Sequence, residues 1–101
     1  MKDGMVEPGQ APEHWGFTKE NFEEGSYLWI TDKKCTISFI ESRNKGEGAF
    51  SRLIKGVEAD GYKVEVPTPL GLMQLILARW GFKKSLEWAP EFNEYVEVWT
   101  R

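Results

Sequence analysis

Cys35-Thr36-Ile37-Ser38-Phe39-Ile40 alternates between faces and is rich in β-branched and aromatic residues, a pattern that predicts a strand running to Glu41. Tyr27 to Thr31 predicts its antiparallel partner, with Asp32-Lys33-Lys34 as a tight turn between them. Downstream the period changes. Ala49, Phe50, Leu53, Ile54 and Val57 recur at helical spacing and form one apolar stripe, which predicts a helix from about Gly48 to Asp60, stopped by Gly61. Tyr62-Lys63-Val64-Glu65-Val66 alternates again as a strand, and Pro67 ends it. Strand, helix and strand over this length form a right-handed βαβ unit, which makes segments 35–41 and 62–66 parallel.

Thr68-Pro69 reads as an N-cap followed by proline at the first helical position. The helix it opens is apolar on nearly every side, through Leu70, Leu72, Met73, Leu75, Ile76, Leu77 and Trp80. Such a helix is expected to be covered by other elements or by a second copy of the chain, so a homodimer is one expected assembly. Gly81 closes it, and Phe82–Trp88 and Glu94–Thr100 follow as two antiparallel strands joined by a loop holding Pro90. Upstream, Pro8, Gly9, Pro12 and Gly16 predict an arm with little regular structure over residues 1–16. Thr18 is expected to cap a short helical piece ending near Gly25. The order β-β-α-β-α-β-β describes a single α/β or α+β domain over residues 1–101, in which residues 1–25 form an irregular N-terminal arm.

Composition narrows the class. An apolar share of 41% with 29% charged residues is that of an ordinary soluble chain. Fourteen Trp, Phe and Tyr residues (5, 6 and 3) supply a dense core for this length. A net charge of −3 argues against general binding of nucleic acid or anionic membrane. The single Cys excludes an internal disulfide framework and fits a reducing compartment. The longest apolar stretch, Leu70 to Trp80, is broken by Gln74 and Arg79 and is too short to span a bilayer, so no membrane partner and a cytoplasmic location are expected.

Arg43-Asn44-Lys45-Gly46-Glu47-Gly48 lies at the corner between the second strand and the first helix. Glycines there let the backbone approach a ligand, and the first amides of the helix sit at the positive end of its dipole, which suits a diphosphate. Three loop types compete. The nucleoside triphosphatase loop requires Gly-Lys-Ser/Thr, whereas Gly48 is followed by Ala49-Phe50. The dinucleotide fingerprint Gly-x-Gly-x-x-Gly requires a glycine where Ser51 stands, and only Glu65 answers to its acidic partner. Arg/Gln-x-x-Gly-x-Gly/Ala is met at every defined position by Arg43, Gly46 and Gly48.

This third pattern resembles the coenzyme A pyrophosphate loop of the GNAT superfamily of N-acetyltransferases. The resemblance extends over residues 26 to 101. It includes the Gly81-Phe82 pair at the end of the second helix and the closing strand Tyr95 to Arg101. It implies a GNAT-like mixed sheet of about five strands with two main helices, in the strand order 27–31, 35–41, 62–66, 94–100, 82–88. It also implies acyl-coenzyme A-dependent acetyl transfer to an amine acceptor. By that resemblance, backbone amides from Asn44 through Glu47 and Gly48 to Ala49 hold the diphosphate of acetyl-coenzyme A. Arg43 and Lys45 hold its charge or fix the loop, and Gly46 and Gly48 permit the close approach. Backbone groups of Phe39, Ile40 and Glu41 pair with the pantetheine arm, and an amide near Ile40 polarises the thioester carbonyl. Glu41 is the candidate base.

The chain departs from that family in two ways. Leu77 stands where many members carry a tyrosine that protonates the leaving thiolate, and an asparagine common near the start of that helix is absent. Only about 25 residues precede Ser26, where members carry a strand and two helices that shape the acceptor pocket. A non-catalytic GNAT-like module for binding or assembly is therefore an open alternative. Each candidate also has a plainer reading. The loop can be a connection that uses glycine for geometry, Glu41 a solvated strand-end carboxylate, His14 a solvated imidazole, and Arg52 and Lys55 a soluble helix face. Cys35 alternates with Ile37 and Phe39 and reads as a core thiol, and one Cys with one His gives no metal-site spacing. Trp29, Trp80, Trp88 and Trp99 read as core or interface packing residues.

Overall fold

A computed structural model describes residues 2–44, 47–69 and 71–101. Six strands, β1 (Gly4–Val6), β2 (Tyr27–Thr31), β3 (Lys34–Phe39), β4 (Lys63–Pro67), β5 (Lys83–Ala89) and β6 (Glu94–Thr100), join in the order β1-β2-β3-β4-β6-β5. Two helices accompany them, α1 (Ala49–Ala59) and α2 (Gly71–Arg79). Apart from β1, this is the strand order that the resemblance implies. By contact the chain separates into two compact units, one ending at Val64 and the other comprising Glu65–Arg101.

In the first unit β1, β2 and β3 are antiparallel neighbours. The turn between β2 and β3 is only Asp32-Lys33, both at positive φ (47° and 68°), the two-residue geometry whose twist matches a hairpin. Alternation then sorts the side chains. Leu28, Ile30, Cys35 and Ile37 lie on one face and are all buried. The Lys63 N–H donates to the Lys33 carbonyl at 2.9 Å, so β3 and β4 start side by side, as strands joined by a helical crossover do. Helix α1 buries Ala49, Leu53, Ile54 and Val57 of the stripe predicted from spacing, with Phe50 half-buried, and buries Gly56 besides.

Both helices end by one device. Tyr62 N–H returns to Val57 C=O and Gly61 N–H to Glu58 C=O; Phe82 returns to Leu77 and Gly81 to Ala78. Gly61 and Gly81 have φ of 87° and 85°, and the pairs Val57–Tyr62 and Leu77–Phe82 are buried, which completes two Schellman stops.

Three local expectations differ from the structure. The N-terminal segment is not an irregular arm, because Gly4–Val6 pairs with β2, Glu13–Trp15 forms a 3-10 turn, and Val6 and Trp15 are buried. Thr18 opens no helix; Asn21 and Phe22 both donate to its carbonyl in a turn, and Phe22 then bridges to Ser42. Thr68 is not an N-cap, since its φ is 44° and its N–H donates to Glu97 C=O at 2.8 Å, and α2 begins at Gly71.

In the second unit β6 lies between β4 and β5, antiparallel to both. Within one chain, Leu77 of α2 is buried and Met73 and Ile76 are half-buried, whereas Leu72 and Leu75 are 74% and 69% exposed, so other elements cover α2 only in part. The tryptophans divide unexpectedly too. Trp15 is fully buried, while Trp29 and Trp88 are about half exposed, at 47% and 50%.

Candidate functional site

The corner between β3 and α1 begins with an irregularity in the strand. Tyr27 pairs with Phe39 and Leu28 with Ile37, so Ser38 is an extra residue that breaks the ladder. The bulge turns Phe39 out of the core, leaving it 51% exposed although it shares its parity with the buried Cys35 and Ile37.

Beyond the bulge the chain is held from one side. Glu41 N–H donates to Ser26 Oγ at 3.0 Å, Glu41 C=O accepts from Glu23 N–H at 2.8 Å, and Arg43 N–H donates to Asn21 C=O at 2.9 Å. The Glu41 side chain is exposed.

Arg43 takes one of the two roles the resemblance left open. Its Nε donates to Lys19 C=O and its Nη1 lies 2.9 Å from Glu23 Oε1, so the guanidinium is committed to the 19–23 segment and fixes the loop. Lys45 and Gly46 lie outside the described residues. The Glu47 amide turns inward, donating to Asn44 C=O at 3.3 Å, so one of the amides expected to face a ligand is used within the loop.

The start of α1 retains the properties expected of an anion site. Gly48 occupies the N-cap in the left-handed region (φ 78°, ψ 14°), no side chain among the described residues caps the helix, and its first turn carries no acidic residue. Among the described residues, no atom lies within 4 Å of a Cβ placed on Gly48. The helix therefore sets no acidic side chain of its own against the positive end of its dipole at Gly48 and Ala49.

Other candidates resolve differently. Burial pushes the Cys35 thiol up to about 12, which keeps it protonated and agrees with a core role. His14 is not simply solvated, because its Nε2 lies 2.8 Å from Asp60 Oδ2, to which the Trp15 indole N–H also donates at 2.7 Å. These two partners, Trp15 foremost, hold the Asp60 carboxyl below the usual carboxylate range. Sequence reading missed this cluster. Its signal was Gly56 on the apolar face of α1, where Trp15 and the His14 carbonyl occupy the space of a side chain. Arg52 and Lys55 are exposed, and the Arg52 stem lies over Gly16.

A cavity of about 340 Å³ borders the other side of the loop, lined by Glu7, Lys19, Phe22, Ser26 and Arg43 among others, with cations and carboxylates mixed around it. Among the described residues no group of three or more His, Cys, Asp or Glu side chains is placed to hold a metal, and no helix is long and apolar enough to cross a membrane. In comparisons with known proteins, the chain matches no family model, no curated protein and no solved structure.

Proposed function

We propose that the Arg43–Ala49 corner binds a coenzyme A thioester and that the chain is an acyl-coenzyme A-dependent N-acetyltransferase acting on an amine. One observation carries this reading. A bulged strand leads through a left-handed Gly48 into a helix that, among the described residues, has no side-chain cap and no acidic residue in its first turn. When bound, acetyl-coenzyme A supplies an activated acyl group and a diphosphate anion. The amides around Gly48 and Ala49 hold the anion, and backbone groups around Ile40 line the thioester arm and polarise its carbonyl. Glu41 removes the proton that the amine loses as its nitrogen bonds to the carbonyl carbon and the carbon–sulfur bond breaks. Arg43 acts as a positioning residue by tying the loop to Glu23 and Lys19. A cytoplasmic setting, in which the lone cysteine stays reduced, goes with this reading.

A second reading, coenzyme binding without transfer, is favoured by two observations. Leu77, at the position of the resembled family's proton donor, has no hydroxyl and is buried. The N-terminal segment, which shapes the acceptor pocket in that family, is instead packed on α1 through Trp15.

Thermal unfolding with and without acetyl-coenzyme A tests the shared premise. A ligand at about 100 times its dissociation constant stabilises by roughly 2.7 kcal/mol, which is several degrees in a domain of this size. Thioester consumption across a panel of amines then separates the readings, since a thermal shift without turnover leaves the binding module. Absence of any shift at millimolar coenzyme overturns both.

A further inference from the structure

We infer that β5 is a self-recognition edge through which two copies of the chain pair antiparallel and continue one sheet across a two-fold axis. β5 ends the strand order and, among the described residues, pairs only with β6. It is seven residues long, and every one from Lys83 to Trp88 is exposed. Natural edges are usually short, bulged, covered or guarded by charge; β5 is full-length and regular, so it is a template for a strand whose charges answer its own.

Its side chains say which strand. The pairs Leu86–Glu97 and Trp88–Tyr95 share one sheet face, on which Leu86, Trp88 and Tyr95 are 69%, 50% and 65% exposed and the two rings stack edge-on at 5.2 Å. Along the strand, charge runs from Lys83-Lys84 at the start to Glu87 near the end. An antiparallel copy reverses that gradient. Pairing about Leu86 sets Leu86 against Leu86, places Lys84 opposite the Trp88 indole of the second copy, and brings Lys83 diagonally to its Glu87. Each contact occurs twice, as an isologous interface requires. A parallel copy would oppose Lys to Lys and Glu to Glu. The sequence of this one strand is therefore its own complement, and that commits the occupant to a second copy rather than to a peptide or a lipid surface.

Sedimentation equilibrium from micromolar to millimolar concentration tests the pairing, with circular dichroism confirming that each variant is folded. The wild-type chain is expected to approach twice its 11.7 kDa mass. Glu87→Lys makes the strand wholly basic and Lys83→Glu/Lys84→Glu makes it wholly acidic, so each variant alone is expected to be monomeric. An equimolar mixture of the two is expected to recover the dimer as a heterodimer. Leu86→Lys, which sets like charges on the axis, is a second route to the monomer. A wild-type chain that stays monomeric throughout overturns the proposal. So does a wild-type monomer that co-sediments with phospholipid vesicles, or a Glu87→Lys variant that still dimerises. None of these outcomes bears on coenzyme binding, which uses the other unit.

Discussion

Gly56 on α1 leaves no room for a side chain, because a Cβ there would stand 2.9 Å from the Cα of Trp15 and 3.2 Å from the His14 carbonyl oxygen. The glycine is the seat on which the N-terminal segment rests. Trp15 is fully buried there, edge-on to Tyr62 with ring centroids 5.7 Å apart. A glycine in a helix interior ordinarily costs about 1 kcal/mol relative to alanine, so Gly56→Ala would stabilise a free helix. Here the new methyl group meets main-chain atoms, which yield only if the segment shifts, and overpacking of this kind costs about 1–3 kcal/mol. Gly56→Ala is therefore expected to be net destabilising. A lower urea midpoint at unchanged slope checks it, and a raised midpoint would show that the segment does not rest on α1.

The same contact gives the fold a pH dependence with a definite sign. Asp60 accepts from Trp15 Nε1 and pairs with His14, and both hold its pKa below the ordinary carboxylate value. Because the folded value is the lower one, the resulting stability is fully present above the unfolded value and is lost as pH falls through the folded value. Urea midpoints measured downward from about pH 5 are expected to fall for the wild type. Asp60→Asn, which keeps an acceptor for the indole but cannot titrate, should flatten that part of the profile. An unchanged profile would separate Asp60 from the acid limb.

The contrast between the corner and the N-terminal segment explains what was legible in the sequence. β2, β3, α1, β4, β5 and β6 announced themselves because period, glycine stops and turn residues are local signals, and Gly61 and Gly81 act within six residues of chain. Trp15 on Gly56 is a contact between residues 41 positions apart in a segment full of Pro and Gly, where no period exists to read. The bulge at Ser38 was hidden for a related reason, since alternation placed Phe39 with Cys35 and Ile37 until pairing with Tyr27 broke the count. Thr68 misled because a Thr-Pro pair has the composition of a helix start, while its amide is taken by Glu97 from a distant strand. At the candidate site, Gly48 and Ala49 were legible as a glycine corner. The commitment of Arg43 to Glu23 depends on a turn that sequence placed as a helix.

Cys35 offers a check on the first unit's core that is independent of ligand. It is fully buried opposite Ile30, and burial pushes its thiol up to about 12. Reaction with a thiol reagent at mildly alkaline pH is expected only through opening of the β2–β3 pair, with a rate set by the open population. Labelling should therefore rise with urea in step with unfolding. Rapid labelling in its absence would contradict the burial of this face.

Gly48 allows backbone and ligand effects to be told apart. Its φ of 78° costs an L-residue roughly 1–2 kcal/mol, while among the described residues no atom lies within 4 Å of a Cβ placed there. Gly48→Asn, which tolerates the left-handed region, is expected to be the mildest of three variants in stability, with Gly48→Ala next and the β-branched Gly48→Val worst. Ligand approach ranks them differently, since alanine has the smallest side chain and asparagine and valine both project into the space where a diphosphate would sit. The thermal shift produced by acetyl-coenzyme A should thus survive best in Gly48→Ala and be lost in Gly48→Asn despite its sounder fold. If the shift instead follows stability across the three variants, the glycine serves only the corner's geometry. If all three keep the full shift, the anion does not bind at this end of α1.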